Sequence, residues 1–327
     1  MERELNWGII GTGVIAREMG AALKAEGKEI WAVCATSKES ARRYADAYGV
    51  GRAYGSAGEL LADPMVDIVY IATPHSTHYA LMQEAIRAGK HILCEKSITV
   101  NSRELRECTA PARQKGLVVC DGNTILHMPL YRRLRRMVAE GAIGKVKMVQ
   151  VSFGSSKEYD PGSRFFAKEL AGGALLDIGV YAMAFARLFL ESQPNVVLTT
   201  ADFGPTGVDE SSGILLKNPE GQLAVVSLTL RAKQPKRGVV AGEKGFIEVC
   251  EYPRAQRATV TWTADGRTEV IQEGAAGDAL RYEVRDMERY VREGAGEENL
   301  SMVEDVMELL TAVRTQWGLV YPFEEVR

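Results

Sequence analysis

Trp7-Gly8-Ile9-Ile10-Gly11-Thr12-Gly13-Val14-Ile15-Ala16 decides how the first third of the chain is read. An apolar run enters a turn of the form Gly-x-Gly-x-x-Ala, and a helix-compatible segment follows over 17–25. Gly11 can take the backbone angles of a tight strand-to-helix turn that a Cβ would forbid. Gly13 lets the main chain come close to a pyrophosphate, and Ala16 keeps the new helix tight against the sheet. The helix N-terminus then presents unpaired N–H groups and a positive dipole end to phosphate. Glycines alone only mark turns. Here they end a strand pattern and open a helix, the context that dinucleotide binding requires. Thr12, Val14 and Ile15 complete the expected cofactor-binding turn.

Working outward, 327 residues predict two domains, each able to bury its own core. The boundary is expected at 122/123, with a dinucleotide-binding domain over 1–122 and a substrate-binding and oligomerisation domain over 123–327. A net charge of −3 gives no general attraction for nucleic acid or an anionic membrane. The five cysteines are scattered and never spaced as Cys-x-x-Cys, which predicts reduced thiols in a cytoplasmic protein and no zinc site. The N-terminus is charged and enters a strand at once, so no signal peptide is expected. No apolar run reads as long enough to span a bilayer.

The first domain alternates strands and helices: a strand over 29–35 and a helix over 39–48, a strand over 67–72 and a helix over 76–88. A strand over 91–94, a helix over 102–115 and a strand over 117–120 follow. This order predicts parallel pairing in a doubly wound α/β sheet, with ligands beyond the carboxyl ends of the strands. An NAD enzyme usually carries Asp or Glu at the end of the second strand, for the ribose 2′-hydroxyl. Here the stretch is Ala35-Thr36-Ser37-Lys38, with Arg42 and Arg43 one turn on. Thr36, Ser37, Lys38 and Arg42 therefore favour NADP(H) over NAD(H), because hydroxyls and cations suit a 2′-phosphate.

The third strand ends in Thr73-Pro74-His75-Ser76-Thr77-His78. Two histidines without a nearby carboxylate or cysteine make a poor metal site, so Thr73, Pro74 and His78 are read as structural or cofactor-side residues. The fourth strand ends in Glu95-Lys96-Ser97. A lysine at a strand tip gains rigid placement, and its ammonium can polarise a substrate hydroxyl or lower the pKa of a neighbouring acid.

Past Asp121 the pattern changes. A basic helix over 131–140 reads as a solvated face, since no aromatics interleave its arginines. A strand over 145–153 and a loop over 155–170 lead to Ala171-Gly172-Gly173-Ala174-Leu175-Leu176-Asp177-Ile178-Gly179-Val180-Tyr181. Asp177 and Tyr181 are four apart, so one helix puts both on one face. Two uses stay open for them, a polar constellation or a cap and a packed ring. Seven strand patterns between 195 and 271 predict a large open, mostly antiparallel sheet in an α+β domain, with one face free for helices or another subunit. Helices over 280–292 and 302–316 close the chain.

Jointly, Gly11-Thr12-Gly13, Thr73-Pro74 through His78, Glu95-Lys96 and Gly172-Gly173 to Tyr181 resemble the Gfo/Idh/MocA family of nicotinamide oxidoreductases over the full length. The 171–181 stretch is most similar to the dimeric dihydrodiol dehydrogenase branch, where tyrosine replaces the histidine of inositol dehydrogenases. The resemblance implies a Rossmann domain, then an open-sheet domain through which a homodimer or homotetramer forms. It implies hydride transfer between nicotinamide C4 and a carbinol carbon of a carbohydrate, cyclic polyol or diol. By matching motif positions, Lys96, Asp177 and Tyr181 become the catalytic candidates and Glu95 joins the cofactor side. His127, Phe153 and Arg164 are the substrate-side candidates, with His127 either facing the pocket or simply packing. Three positions depart from the pattern: Ser97 replaces the usual proline, His75 the usual asparagine, and 122–129 lacks the branch's tryptophan and arginine. A non-catalytic NADP-binding regulator and a sugar-processing enzyme with a closed internal redox cycle remain as alternative readings.

Overall fold

The computed structural model describes residues 3–324, which divide into two units. The first comprises the chain up to Thr99, Arg103–Gly122 and Asp278–Leu300; the second comprises Val100–Ser102, Asn123–Gly277 and the chain from Ser301.

In the first unit the order is β1 (Trp7–Ile10), α1 (Val14–Ala25), β2 (Ile30–Cys34), α2 (Lys38–Tyr48), β3 (Arg52–Tyr54), α3 (Ala57–Leu61), β4 (Ile68–Ile71), α4 (His75–Arg87), β5 (His91–Glu95), α5 (Ser102–Gln114) and β6 (Val119–Gly122). The strands form one parallel Rossmann sheet in the order β3-β2-β1-β4-β5-β6. β1 is buried along its whole length, as its unbroken apolar run requires of a central parallel strand. The chain leaves β1 for β2 on one side and reaches β4 on the other, so the strand order reverses beyond Ile10. That switch point is where such sheets take ligands. The short β3 and α3 were not predicted, since three to five residues carry too little periodicity to read.

The second unit continues with α6 (Pro129–Ala139), β7 (Val146–Gly154), a one-turn π-helix (Leu175–Gly179), α7 (Val180–Phe189), β8 (Val196–Phe203), β9 (Asp209–Lys217), β10 (Leu223–Thr229), β11 (Gln234–Gly242), β12 (Gly245–Cys250), β13 (Arg257–Trp262) and β14 (Thr268–Gln272). These strands make one eight-stranded sheet in the order β14-β13-β12-β11-β7-β10-β9-β8, parallel only between β7 and β10. Val149, Val151, Val226 and Val240 are buried, and α7 packs over β7. Residues of opposite parity such as Leu198, Val225 and Val270 are exposed. This is the two-faced alternation of an antiparallel sheet covered on one side.

The closing helices are α8 (Ala279–Glu293) and α9 (Glu297–Trp317). α8 lies in the first unit, where Trp7 Nε1–H donates to Glu288 Oε1 at 3.2 Å and Arg281 and Arg285 hold Glu26. One stretch corrects the expectation about apolar runs. Lys168–Phe189 is 22 residues long and apolar enough to cross a membrane, with 83 % of its 18-residue apolar window buried inside the fold. Within it, the turn at Gly172-Gly173 separates the 3₁₀ turn Lys168–Leu170 from the helical run that ends at Phe189. It is a core helix.

Candidate active site

In the first unit, Gly11 has φ +106°, and its N–H donates to Cys34 O at 2.9 Å. A Cβ there would strike the Ala72 carbonyl oxygen, so the turn after β1 excludes every other residue. Gly13 differs: its backbone is extended, and a Cβ would meet no atom within 4 Å. It opens α1 with no side-chain cap, and Val14 beside it is 74 % exposed. Ala16 is fully buried and its carbonyl accepts the Tyr44 hydroxyl at 2.7 Å. An uncapped helix start fronted by open space is what a dinucleotide pyrophosphate needs, so these residues fit the group.

Beside this turn lies a cleft of about 340 Å³ lined by Thr12, Arg17, Ser40, Arg43, Tyr44, Ala47 and Tyr48. Ser37 caps α2 by accepting from Ser40 N at 3.2 Å, and Thr36, Ser37 and Lys38 are exposed. Arg17 and Ser40 were missed in the sequence. The readable signal was the stripe Ser40, Arg43, Tyr44, Ala47, one face of α2 at helical spacing.

At the other strand ends, buried groups fix the backbone. His75 Nε2 lies 3.1 Å from Lys96 O. His78 sits between the Ser97 and Thr73 carbonyls, 2.9 Å from each, and burial pushes its imidazole down toward the neutral form. A neutral ring donates to one of the two. Both histidines thus act on the Lys96-Ser97 turn, whose peptide bond is cis, through the main chain. Thr77 Oγ1 donates to Thr73 Oγ1 at 2.7 Å, just past the β4 tip where Pro74 caps α4. Tyr70 donates to Glu95, and Asp121 is buried on the next strand. Burial, then the charge of Glu95, hold the Asp121 carboxyl well above the usual range, while the Lys96 ammonium pulls it down.

In the second unit, Arg164 Nη1 donates to Asp177 Oδ1 at 3.1 Å, and its guanidinium lies 4.2 Å from the Phe165 ring centre. Asp177 is buried in the π-helix, and Tyr181 follows in the first turn of α7. The expected single α-helix is therefore wider at Asp177, a local winding common at functional sites. The Tyr181 ring meets Phe153 with centroids 6.3 Å apart, and Phe153 meets Tyr252 at 6.0 Å. Of the expected residues, Arg164 is joined to Asp177 and Phe153 to Tyr181, while His127 is fully buried.

Asp209, at the start of β9, was not anticipated. Its Oδ2 accepts from Leu175 N at 2.7 Å, and burial pushes its carboxyl up to about 7. A carboxyl raised from 3.8 in the unfolded chain binds its proton more tightly when folded. Its contribution to stability is complete below about pH 4 and falls as pH rises to about 7, by at most about 4 kcal/mol. Urea titrations of Asp209→Asn against wild type are expected to favour the variant increasingly between those pH values. A difference flat in pH would mean that Asp209 titrates alike in both states.

The profile of the oxidoreductase family with an NAD-binding Rossmann fold matches residues 5–122, and that of the GFO/IDH/MocA C-terminal domain matches residues 131–248. The chain belongs to the Gfo/Idh/MocA family. The family member is 29 % identical over 328 residues to a trans-1,2-dihydrobenzene-1,2-diol dehydrogenase of Xenopus laevis, covering 97 % of this chain and 99 % of the relative. Among solved structures it matches a 3-ketoreductase from Actinomadura kijaniata in complex with NADP and TDP-benzene, with TM-score 0.86, 25 % identity and coverage of 96 % and 98 %. It also shares its fold with levoglucosan dehydrogenase in complex with NADH and levoglucosan, at TM-score 0.88 and 20 % identity over 97 % and 98 %. The oxidoreductase is thus an NAD(P)-binding member whose homologues act on diols and sugars.

Proposed function

We propose that this oxidoreductase moves hydride between NADP(H) and a carbinol or carbonyl carbon of a sugar, cyclic polyol or related diol. The observation that carries the reading is the Asp177–Tyr181 segment, a carboxylate paired with Arg164 and a phenol beside Phe153 on one buried helix. The diol and sugar names of the relatives support the substrate class.

A nicotinamide dinucleotide held by Gly11, Thr12, Gly13, Val14 and Ile15 supplies the hydride acceptor or donor. Tyr181 takes the hydroxyl proton during oxidation and returns it during reduction. A free phenol titrates near pH 10, too high for an efficient base at neutrality, and the Lys96 ammonium is assigned the role of favouring the phenolate. Asp177 orients the reacting hydroxyl, with Arg164 holding its carboxylate. NADP(H) is preferred because 35–38 carries no carboxylate and Arg17 and Arg43 line the neighbouring cleft.

The test follows nicotinamide absorbance with NADP⁺ and NAD⁺ side by side, against trans-1,2-dihydrobenzene-1,2-diol, levoglucosan, aldoses and inositols. Reduced cofactor appearing with one compound, faster with NADP⁺, is expected. Tight NADP(H) binding with no turnover on any compound removes the dehydrogenase reading in favour of a sensor or a closed redox cycle.

We further propose a cytoplasmic homo-oligomer assembled on the open face of the eight-stranded sheet. Leu198, Val225 and Val270 are exposed there, and none of the five cysteines is in a disulfide. A dimer or tetramer is expected by sedimentation, and Val225→Lys is expected to shift it toward monomer. A wild-type monomer at micromolar concentration overturns that assembly.

A further inference from the structure

We propose that Asp209 and Tyr321 are positioning residues that fix the Gly172-Gly173 turn, and with it the segment carrying Asp177 and Tyr181. This rests on the catalytic roles proposed above for those two residues. The turn is held from three sides within the second unit. From its own loop, Gly172 N–H donates to Ala167 O at 3.0 Å and Gly173 N–H donates to Phe165 O at 2.9 Å. That same loop carries Arg164, the partner of Asp177.

From β9, the Asp209 carboxylate accepts the Leu175 N–H at 2.7 Å. Its other oxygen lies against Gly173, which has φ +122° and where a Cβ would collide with it. Only glycine lets the carboxylate come this close. From the end of the chain, the Tyr321 hydroxyl donates to Gly172 O at 2.9 Å, and Tyr321 is fully buried. Arg314 anchors it: the guanidinium lies 4.4 Å from the Tyr321 ring centre, donates to Leu319 O at 3.0 Å and pairs with Glu324. Glu324 in turn accepts the Tyr321 N–H at 2.8 Å. Residues 319–324 form a strap over the turn.

Asparagine would accept the same Leu175 N–H without placing an ionisable group at zero exposure, where burial opposes its charge. The titratable groups turned toward it are Arg314, which favours its ionised form, and the neutral Tyr321 phenol.

The experiment compares Asp209→Ala, Asp209→Asn and Tyr321→Phe with wild type. It reads hydrogen exchange over 173–183 and kcat and KM for the panel compound that wild type oxidises. Asp209→Ala and Tyr321→Phe are expected to raise exchange over 173–183 by about 10-fold, with the first unit unaffected. Turnover is expected to fall about 10- to 100-fold with KM and the NADP(H) Kd within about 2-fold, as for a misplaced catalytic group. Asp209→Asn is expected to restore exchange and most of kcat. Unchanged exchange, exchange raised evenly through the second unit, or raised exchange with unchanged kcat would each overturn the proposal. Full turnover in Tyr181→Phe, or no oxidation of any panel compound by wild type, sinks the assigned chemistry instead. The exchange data then still decide whether Asp209 and Tyr321 hold the turn.

Discussion

Tyr181→Phe is expected to lower turnover by about 10² or more while the Kd for NADP(H) stays within about 2-fold. The substitution removes one hydroxyl and keeps the ring, so the contact with Phe153 and the packing of α7 persist. What is lost is the group assigned to carry the substrate proton, and general acid–base catalysis supplies a factor of about 10² to 10⁴. Loss confined to kcat, with the thermal midpoint unchanged, is the expected pattern. A variant that keeps wild-type turnover would move proton transfer to another group and remove the reason for reading Asp177 and Tyr181 as a catalytic pair. Circular dichroism beside the kinetics separates that outcome from misfolding.

Gly13→Val is expected to weaken NADP(H) binding by about 100-fold or more, or about 3 kcal/mol, with little effect on the fold. The backbone at Gly13 is extended and a side chain there enters open space, so valine fits the folded chain. Its branched side chain fills the approach to the first N–H groups of α1, where the pyrophosphate is proposed to sit. The stability cost should not exceed about 1 kcal/mol, the scale of a poor helix cap. Calorimetric titration with NADP(H) and a thermal melt read the two effects apart. Gly11→Ala is the contrasting case, since its positive φ and the Ala72 carbonyl make that glycine a requirement of the fold itself. Unweakened binding in Gly13→Val would mean that the dinucleotide does not approach this turn.

The architecture was legible because it rests on local pattern. The apolar run to Ile10, the Gly11-Thr12-Gly13 turn and the strand–helix alternation each depend on neighbours a few residues apart. Boundaries moved by one or two residues at most elements, as in α2, which starts at Lys38 rather than at Glu39. α9 moved further and starts at Glu297, because its first turn is polar and carries none of the apolar stripe from which its start was read. The parallel contact between β7 and β10 could not be read, since strand order is set by packing over long sequence separations.

By itself, the sequence determined the strand–turn–helix start and the alternation after it, and its resemblance to the family offered Lys96, Asp177 and Tyr181 as chemical candidates. Spacing and residue type are enough to specify a strand, a turn and a helix start. Only the tertiary structure decided how the Asp177 segment is held. Asp209 and Tyr321 lie far from Gly172 along the chain, and nothing in their own neighbourhoods marks them. Burial, which pushes the Asp209 carboxyl up to about 7, belongs to the packed molecule, since no charge or dipole is buried until the chain has closed around it.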